Sequence, residues 1–283
     1  MNYYNEWDKG AAKWLRELIK RGLIPYGYVD ERSITEVTPS DLEGFTQCHF
    51  FSGIGGWSRA LQIAGIPSTT KLWTGSPPCQ PFSAAGKQKG KFDERHLAPT
   101  FLRLISECRP PIVLGEQVAK AIDDGWLDDL HVELEKQGYT VGASVLSASL
   151  IGAPHKRERL FFGAIGSVAN TNSYEYRCEV SGSNEKENGA KSRNWQKIFK
   201  SWESPGADKD VLGAWDDSRQ YLCRDGKYRY IEPSIPLLVD GVPSTVGRLR
   251  GFGNAIVPPL AALFVRDFLS SANDIGINFY DGE

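Results

Sequence analysis

The chain has 283 residues, with 33 Lys plus Arg against 35 Asp plus Glu, and its formal net charge of -2 excludes a scaffold that is basic throughout. Binding to nucleic acid then requires positive charge gathered locally. Hydrophobic residues at 41% and charged residues at 24% are ordinary for a globular protein, no apolar run approaches the ~18 residues of a membrane span, and ~150 residues per domain predicts roughly two domains.

The opening MNYYNEWDKG has no basic flank followed by an apolar stretch, so it does not read as a signal peptide. Cys48, Cys79, Cys108, Cys178 and Cys223 are irregularly spaced without a CxxC pair, which predicts no zinc site and a reducing, cytoplasmic setting. Trp7, Ala11, Trp14, Leu15, Leu18 and Ile19 fall at helical spacing over residues 7–21, predicting an amphipathic helix that ends near Gly22. An apolar stretch from Tyr26 to Val29 predicts a strand, and Thr38, Pro39 and Ser40 a connection. Cys48 to Phe51 then meets a glycine-rich turn, followed by helical periodicity through Trp57, Leu61 and Ile63: strand, tight turn, helix.

Farther along, LWTGSPPCQPFS reads as strand then loop, FLRLISECRP as a helix closed by prolines, IVLGEQ as a buried strand and WLDDLHVELEKQGY as a helix. VGASVLSASLIGAP and RERLFFGAIG supply two more strands. Strands alternating with helices, each strand nearly continuous in apolar residues, predict an open, doubly wound α/β sheet over 1–165. From Asn170 to about Asp240 the chain is rich in Ser, Asn, Lys, Arg and Trp without a period, predicting a small irregular lobe over 166–246. Leu260, Leu263, Phe264 and Phe268 restore helical spacing, so 247–283 is expected to return to the main domain.

Four stretches carry candidate chemistry. Gly53, Gly55 and Gly56 either serve turn conformation alone or bring backbone amides close to a ligand. Prolines on both sides of Cys79, after a strand, would present a thiol at the carboxyl edge of the sheet, where α/β proteins bind ligands. A nucleophile suits that setting, provided something favours the thiolate. Glu116, just beyond Ile112 to Leu114, is either a solvated loop carboxylate or a desolvated acid able to carry a proton near neutral pH. His155, Lys156, Arg157 and Arg159 form either a solvated turn or a site for a phosphate or anionic intermediate.

Together these stretches resemble the DNA (cytosine-5)-methyltransferase family. Phe51-Ser52-Gly53-Ile54-Gly55-Gly56 is similar to its cofactor motif, Pro78-Cys79-Gln80 to its catalytic loop, and Glu116-Gln117-Val118 to its acid motif. His155-x-Arg157-x-Arg159 resembles its arginine motif, and Gly253-Asn254-Ala255-Ile256-Val257-Pro258 its carboxy-terminal cofactor motif. Gln117 stands where the family has asparagine, and His155 where it has glutamine. Neither change removes a group that performs a chemical step.

The resemblance implies an S-adenosylmethionine-dependent, Rossmann-like sheet with a target-recognition lobe inserted before the last helix. Cys79, Glu116 and Arg157 would be catalytic, Arg157 holding the base. Phe51, Gly53, Gly55, Gly56 and Asn254 would bind cofactor, while Pro78, Gln80, Ser83 and Arg159 would contact DNA or support the loop. Between the glycine turn and Cys79 only about half the family's usual residues occur, and Gly65 to Ser76 carries no acid. Asn5-Glu6-Trp7-Asp8 and Val29-Asp30-Glu31-Arg32-Ser33-Ile34 resemble the missing pieces, so the acidic cofactor segment, 1–45, is expected to be transposed ahead of the turn. Glu6 would bind ribose, Trp7 pack on adenine and Asp30 bind its amino group. Alternatively, Glu6 and Asp8 merely stabilise the positive end of the following helix.

The implied partner is double-stranded DNA, bound by a monomer without metal or membrane, in a bacterial or phage-infected cell. The compact organisation resembles phage or prophage members. Lys186, Lys191, Arg193, Lys197 and Lys200, interleaved with Trp195 and Trp202, suit phosphate contact and wedging, or the tryptophans form the lobe's small core. Transfer-RNA methylation and a catalytically inactive DNA reader are the competing expectations. The PCQPFS loop resembles the DNA enzymes better than the RNA branch, and the presence of Cys79, Glu116, Arg157 and Asn254 disfavours an inactive reader.

Overall fold

The computed structural model describes residues 1–78, 97–153, 157–166, 219–222, 228–231 and 255–274. Strand β1 (Asn2–Asn5) leads into helix α1 (Lys9–Lys20), then β2 (Gly27–Asp30), two short 3-10 turns and β3 (Gln47–Phe50). Helix α2 (Gly56–Ile63), β4 (Leu72–Gly75), α3 (Ala98–Cys108), β5 (Ile112–Val118) and α4 (Trp126–Lys136) follow. Then come β6 (Tyr139–Ser147), β7 (Glu158–Gly166), a hairpin of β8 (Arg219–Leu222) and β9 (Tyr228–Ile231), and α5 (Pro258–Asp274). No helix among the described residues is long and apolar enough to cross a membrane.

Seven strands form one sheet in the order β2-β1-β3-β4-β5-β7-β6. The first five are parallel, while β7 runs antiparallel to both β5 and β6. Side chains alternate across the pleat, so each strand feeds two layers. Phe50, Trp73, Val113 and Phe162 pack with Phe101, Leu104 and Leu130 from α3 and α4 on one face. Leu72, Ile112, Leu114 and Phe161 pack with Trp57 and Leu61 of α2 and Leu260, Phe264 and Val265 of α5 on the other. A third cluster, Tyr4, Ala12, Leu15, Ile24 and Val29, seats α1 beside the edge strands.

The structure alters three expectations. Residues 2–5 form a fully buried strand that periodicity missed, because four residues are too few to display a period. The helix predicted from Trp7 starts at Lys9, since the Asp8 side chain accepts the Ala11 amide proton at 2.8 Å and caps it. Trp7 lies outside the helix and is 75% exposed, and Ala12 rather than Ala11 is buried. The region read as having no period contains the antiparallel β8–β9 hairpin.

Glycines set the closeness of the central strands. Gly75 of β4 and Gly115 of β5 are register partners. A Cβ at Gly115 would lie 2.0 Å from Phe162 Cζ and 2.6 Å from the Gly75 carbonyl oxygen. Only hydrogen fits there, so the exits of β4 and β5, at Ser76-Pro77 and Glu116-Gln117, emerge side by side.

Candidate active site

The carboxyl ends of the parallel strands supply two neighbouring groups of functional side chains. On the β1–β2–β3 side, Ser52 donates its amide proton to the Asn5 carbonyl at 3.0 Å, joining the glycine turn to the end of β1. Glu6 is buried there. Its Oε2 accepts the Gly53 amide proton at 2.7 Å and its Oε1 the Asp8 amide proton at 2.9 Å. Burial raises the Glu6 pKa above the ordinary carboxylate value, while the two amides oppose that shift.

The turn itself has Phe51 at φ 53°, Gly53 at 54° and Gly55 at 86°. Positive φ in Phe51 is a strained state for a residue with a side chain, and the neighbouring contacts hold it there. The three glycines have different reasons to lack a side chain. A Cβ at Gly56 would lie 2.7 Å from Ile256 Cγ1, and one at Gly55 3.3 Å from Leu15 Cδ2, so both sit against packed neighbours. A Cβ at Gly53 would meet no atom within 4 Å, so of the three this one faces open space.

Asp30 ends β2. Its carboxylate is 2% exposed, accepts the Tyr3 hydroxyl at 2.8 Å and the Arg32 amide at 2.9 Å, and pairs with Arg32 NH2 at 2.6 Å. Burial pushes its pKa up, but the Arg32 side chain, the Arg32 amide and Tyr3 together outweigh burial and hold it below the usual value. Both oxygens accept protons that fix the turn after β2. Asn5 works with it, donating from its side-chain amide to the Arg32 carbonyl at 2.8 Å.

On the β4–β5–β7 side, Glu116 is 8% exposed and its Oε1 lies 2.8 Å from Arg159 Nε. The antiparallel register explains the contact: Arg159 pairs with Val118, two residues from Glu116 and therefore on the same face. Burial raises the Glu116 pKa above the ordinary carboxylate value, against the opposing charges of Arg159 and Arg157. Glu116 is thus a buried acid rather than a solvated loop carboxylate.

The two arginines have different partners. Arg159, expected to support the loop or contact phosphate, pairs with the acid. Arg157, expected to hold the base, has φ 33° and donates from NH2 to the Ala255 carbonyl at 2.5 Å. It thereby anchors the start of the segment leading into α5, next to Asn254 in sequence. Burial lowers its pKa, with the like charge of Arg159 adding to the effect.

Pro78 follows β4 at the same edge. Gln117 donates from Nε2 to the Pro77 carbonyl at 3.2 Å and accepts the Val118 amide proton at 3.0 Å. Trp57 donates from its indole nitrogen to Ser76 Oγ at 2.9 Å. Sequence reading passed over Arg32, Asn5, Trp57 and Ser76. An arginine two residues beyond a strand-ending aspartate was the only local signal among them. Cys79, Gln80, Ser83, His155, Asn254 and the lobe's Lys186, Lys191, Arg193, Trp195, Lys197, Lys200 and Trp202 lie outside the described residues.

Five parallel strands closed by an antiparallel pair, with a glycine turn and a buried acid at their carboxyl edge, define the Rossmann-like sheet of S-adenosylmethionine-dependent methyltransferases. Within that class the chain belongs to the C-5 cytosine-specific DNA methylase family, whose profile matches residues 58–210, more than half its length. It is 39% identical over 98 residues to the type II methyltransferase M.AplI of Arthrospira platensis, covering 34% of this chain and 28% of that protein. To M.FnuDI of Fusobacterium nucleatum it is 30% identical over 165 residues, covering 56% and 46%. To M.HhaI of Haemophilus parahaemolyticus it is 29% identical over 181 residues, covering 50% and 55%. The matches thus span between about a quarter and about half the length of these relatives. Among solved structures, the chain is similar to the S. pombe Dnmt2 methyltransferase at 16% identity and TM-score 0.38, covering 75% of this chain and 58% of that one.

Proposed function

We propose that the protein methylates carbon 5 of a cytosine in duplex DNA, with S-adenosylmethionine as cofactor. The observation that carries the reading is the buried Glu116–Arg159 pair beside the strand exit that leads to Pro78 and Cys79. Family membership supports it. A base within a stacked duplex cannot reach such a cleft, so the target nucleotide is flipped, at a cost of about a few kcal/mol offset by protein contacts.

Carbon 5 of cytosine is too weak a nucleophile to react unaided. Cys79 adds its sulfur to carbon 6, and Glu116 places a proton on, or a hydrogen bond to, ring nitrogen 3, which makes the ring enamine-like. The bound cofactor supplies an electrophilic methyl group. Once carbon 5 carries the methyl group, loss of its proton to a base re-forms the carbon 5–carbon 6 double bond and breaks the carbon 6–sulfur bond, releasing Cys79 as thiolate. Arg159 fixes the Glu116 carboxyl and polarises the base carbonyl, while Arg157 holds the segment carrying Asn254.

The residues present fit the cofactor. Gly53 faces open space, the Glu6 carboxylate has lone pairs beyond its two amide bonds for ribose hydroxyls, and Trp7 exposes an aromatic face beside it. Phe51 and Asn254 complete the binding set. We infer that the acidic segment 1–45 is transposed ahead of the glycine turn. The adjacency of β2, β1 and β3 and the Glu6–Gly53 bond support this. The catalytic domain then spans 1–165 with 247–283, and 166–246 forms the recognition lobe.

Incubation with tritiated S-adenosylmethionine and separate duplex DNA and transfer-RNA substrates tests the reading. Label is expected in DNA cytosine, with none from Cys79→Ser. Label confined to RNA, or DNA binding without label, overturns it. Turnover by Cys79→Ser removes the nucleophile assignment.

A further inference from the structure

We propose that Trp57, Ser76 and Gln117 form a clamp that positions the nucleophile loop, an inference that rests on the function proposed above. Pro77 and Pro78 have no backbone N–H, so the chain leaving β4 presents only acceptors there. It cannot be fastened by its own amides. Donors must come from its neighbours, and two side chains supply holds on consecutive residues.

From α2, the Trp57 indole donates to Ser76 Oγ at 2.9 Å; the ring is buried and packs edge-on against Phe161 at 6.2 Å, so it cannot swing away. From β5, Gln117 donates to the Pro77 carbonyl at 3.2 Å. Its amide orientation is set at the other end, where Oε1 accepts the Val118 amide proton. Gln117 is 4% exposed and adjoins Glu116 in sequence.

The two donors tie the loop base to both halves of the site. Helix α2 begins at the glycine turn, and β5 carries the acid. Cys79 follows Pro77 by two residues, so chain connectivity confines its Cα to within about 7 Å of the Pro77 Cα. Misplacement of a reacting group by about 1 Å costs up to about 100-fold in rate, so a hold on Ser76 and Pro77 bears on the step at Cys79. Gln117 and Trp57 touch neither substrate nor cofactor in this scheme; they are positioning residues.

The test compares Trp57→Phe, Ser76→Ala and Gln117→Met with the unaltered protein, using tritiated S-adenosylmethionine and unmethylated genomic DNA. Each variant is expected to lose about ten-fold in kcat, with Kd for cofactor and DNA within two-fold of the unaltered protein. Capture of Cys79 by a duplex containing 5-fluorocytosine should slow by the same factor. The double variant Trp57→Phe/Ser76→Ala should be no slower than either single one, because both remove one bond. Ser76→Ala disturbs the fold least and keeps the test decisive if Trp57→Phe fails to fold. Full kcat in Ser76→Ala and Gln117→Met, or multiplicative losses in the double variant, overturns the clamp alone. Absence of transfer by the unaltered protein overturns the functional reading and the clamp with it.

Discussion

Asp30 and Glu116 are carboxylates buried at the carboxyl edge of one sheet, each paired with an arginine, yet their protons are held in opposite ways. Asp30 receives the Arg32 side chain, the Arg32 amide and the Tyr3 hydroxyl, and these outweigh its burial. Glu116, on a central strand, pairs with Arg159, and burial prevails. Desolvation prevails at Glu116, whereas at Asp30 the Arg32 side chain and amide together with the Tyr3 hydroxyl outweigh it. Glu6 falls between them, with two backbone donors and no cation among its bonds.

The largest expected effect is on Glu116. Its protonated form predominates below a pKa raised above the usual carboxylate range, so a step that needs the proton slows as pH rises through that value. Glu116→Gln should lower kcat by about 100- to 10,000-fold and remove the dependence. A pH–rate profile of both proteins checks this, and an unchanged alkaline limb would mean that another group carries the proton.

Glu6→Ala should come next. It removes the proposed ribose acceptor and the side-chain partner of the Gly53 and Asp8 amides, so cofactor affinity should fall about ten-fold or more, at roughly 1–3 kcal/mol for a lost charged partner. Calorimetric titration with S-adenosylmethionine measures it. Unchanged affinity would remove Glu6 from the cofactor site.

Arg32→Leu attacks the other side of the comparison. Asp30, held low in the folded protein, contributes stability above the unfolded carboxylate value that is lost as pH falls through the folded one. Without Arg32, burial dominates and the pKa rises, so acid unfolding should begin at higher pH and stability at neutral pH should fall by about 1–3 kcal/mol. Thermal melts across a pH series report both.

The smallest effect separates the glycines. Gly56→Ala, pressed on Ile256, should cost about 1–3 kcal/mol of stability with little change in cofactor Kd. Gly53→Ala, at positive φ in open space, should cost about 1–2 kcal/mol and weaken cofactor binding more. Paired melts and titrations distinguish them.

Most strands and helices were legible from the sequence because their apolar periods extend over enough residues to register. Strand β1 was not, since Asn2–Asn5 is short and both of its ends are asparagine. Glu116 could be placed at the end of a strand by pattern, but whether it was solvated depended on Arg159 and on the pairing of β5 with β7. The different partners of Arg157 and Arg159 were likewise illegible: Arg157 precedes β7 with φ 33° and meets the Ala255 carbonyl, whereas Arg159 lies in β7 and meets Glu116.

The sequence by itself determined the alternation of strands and helices, the order of the motifs, and the residue types available for chemistry, since these depend on local period and identity. Tertiary structure alone decided which way burial and neighbours shift each carboxylate, which glycine faces open space, and how Trp57 and Gln117 bond to the segment leading into Pro77 and Pro78. Those outcomes depend on desolvation and on distances between residues far apart in the chain, quantities that no local pattern encodes. The charge of -2 is therefore compatible with a DNA enzyme. Acids such as Glu6, Asp30 and Glu116 are buried at the sheet edge, so the total says little about the surface that DNA would meet.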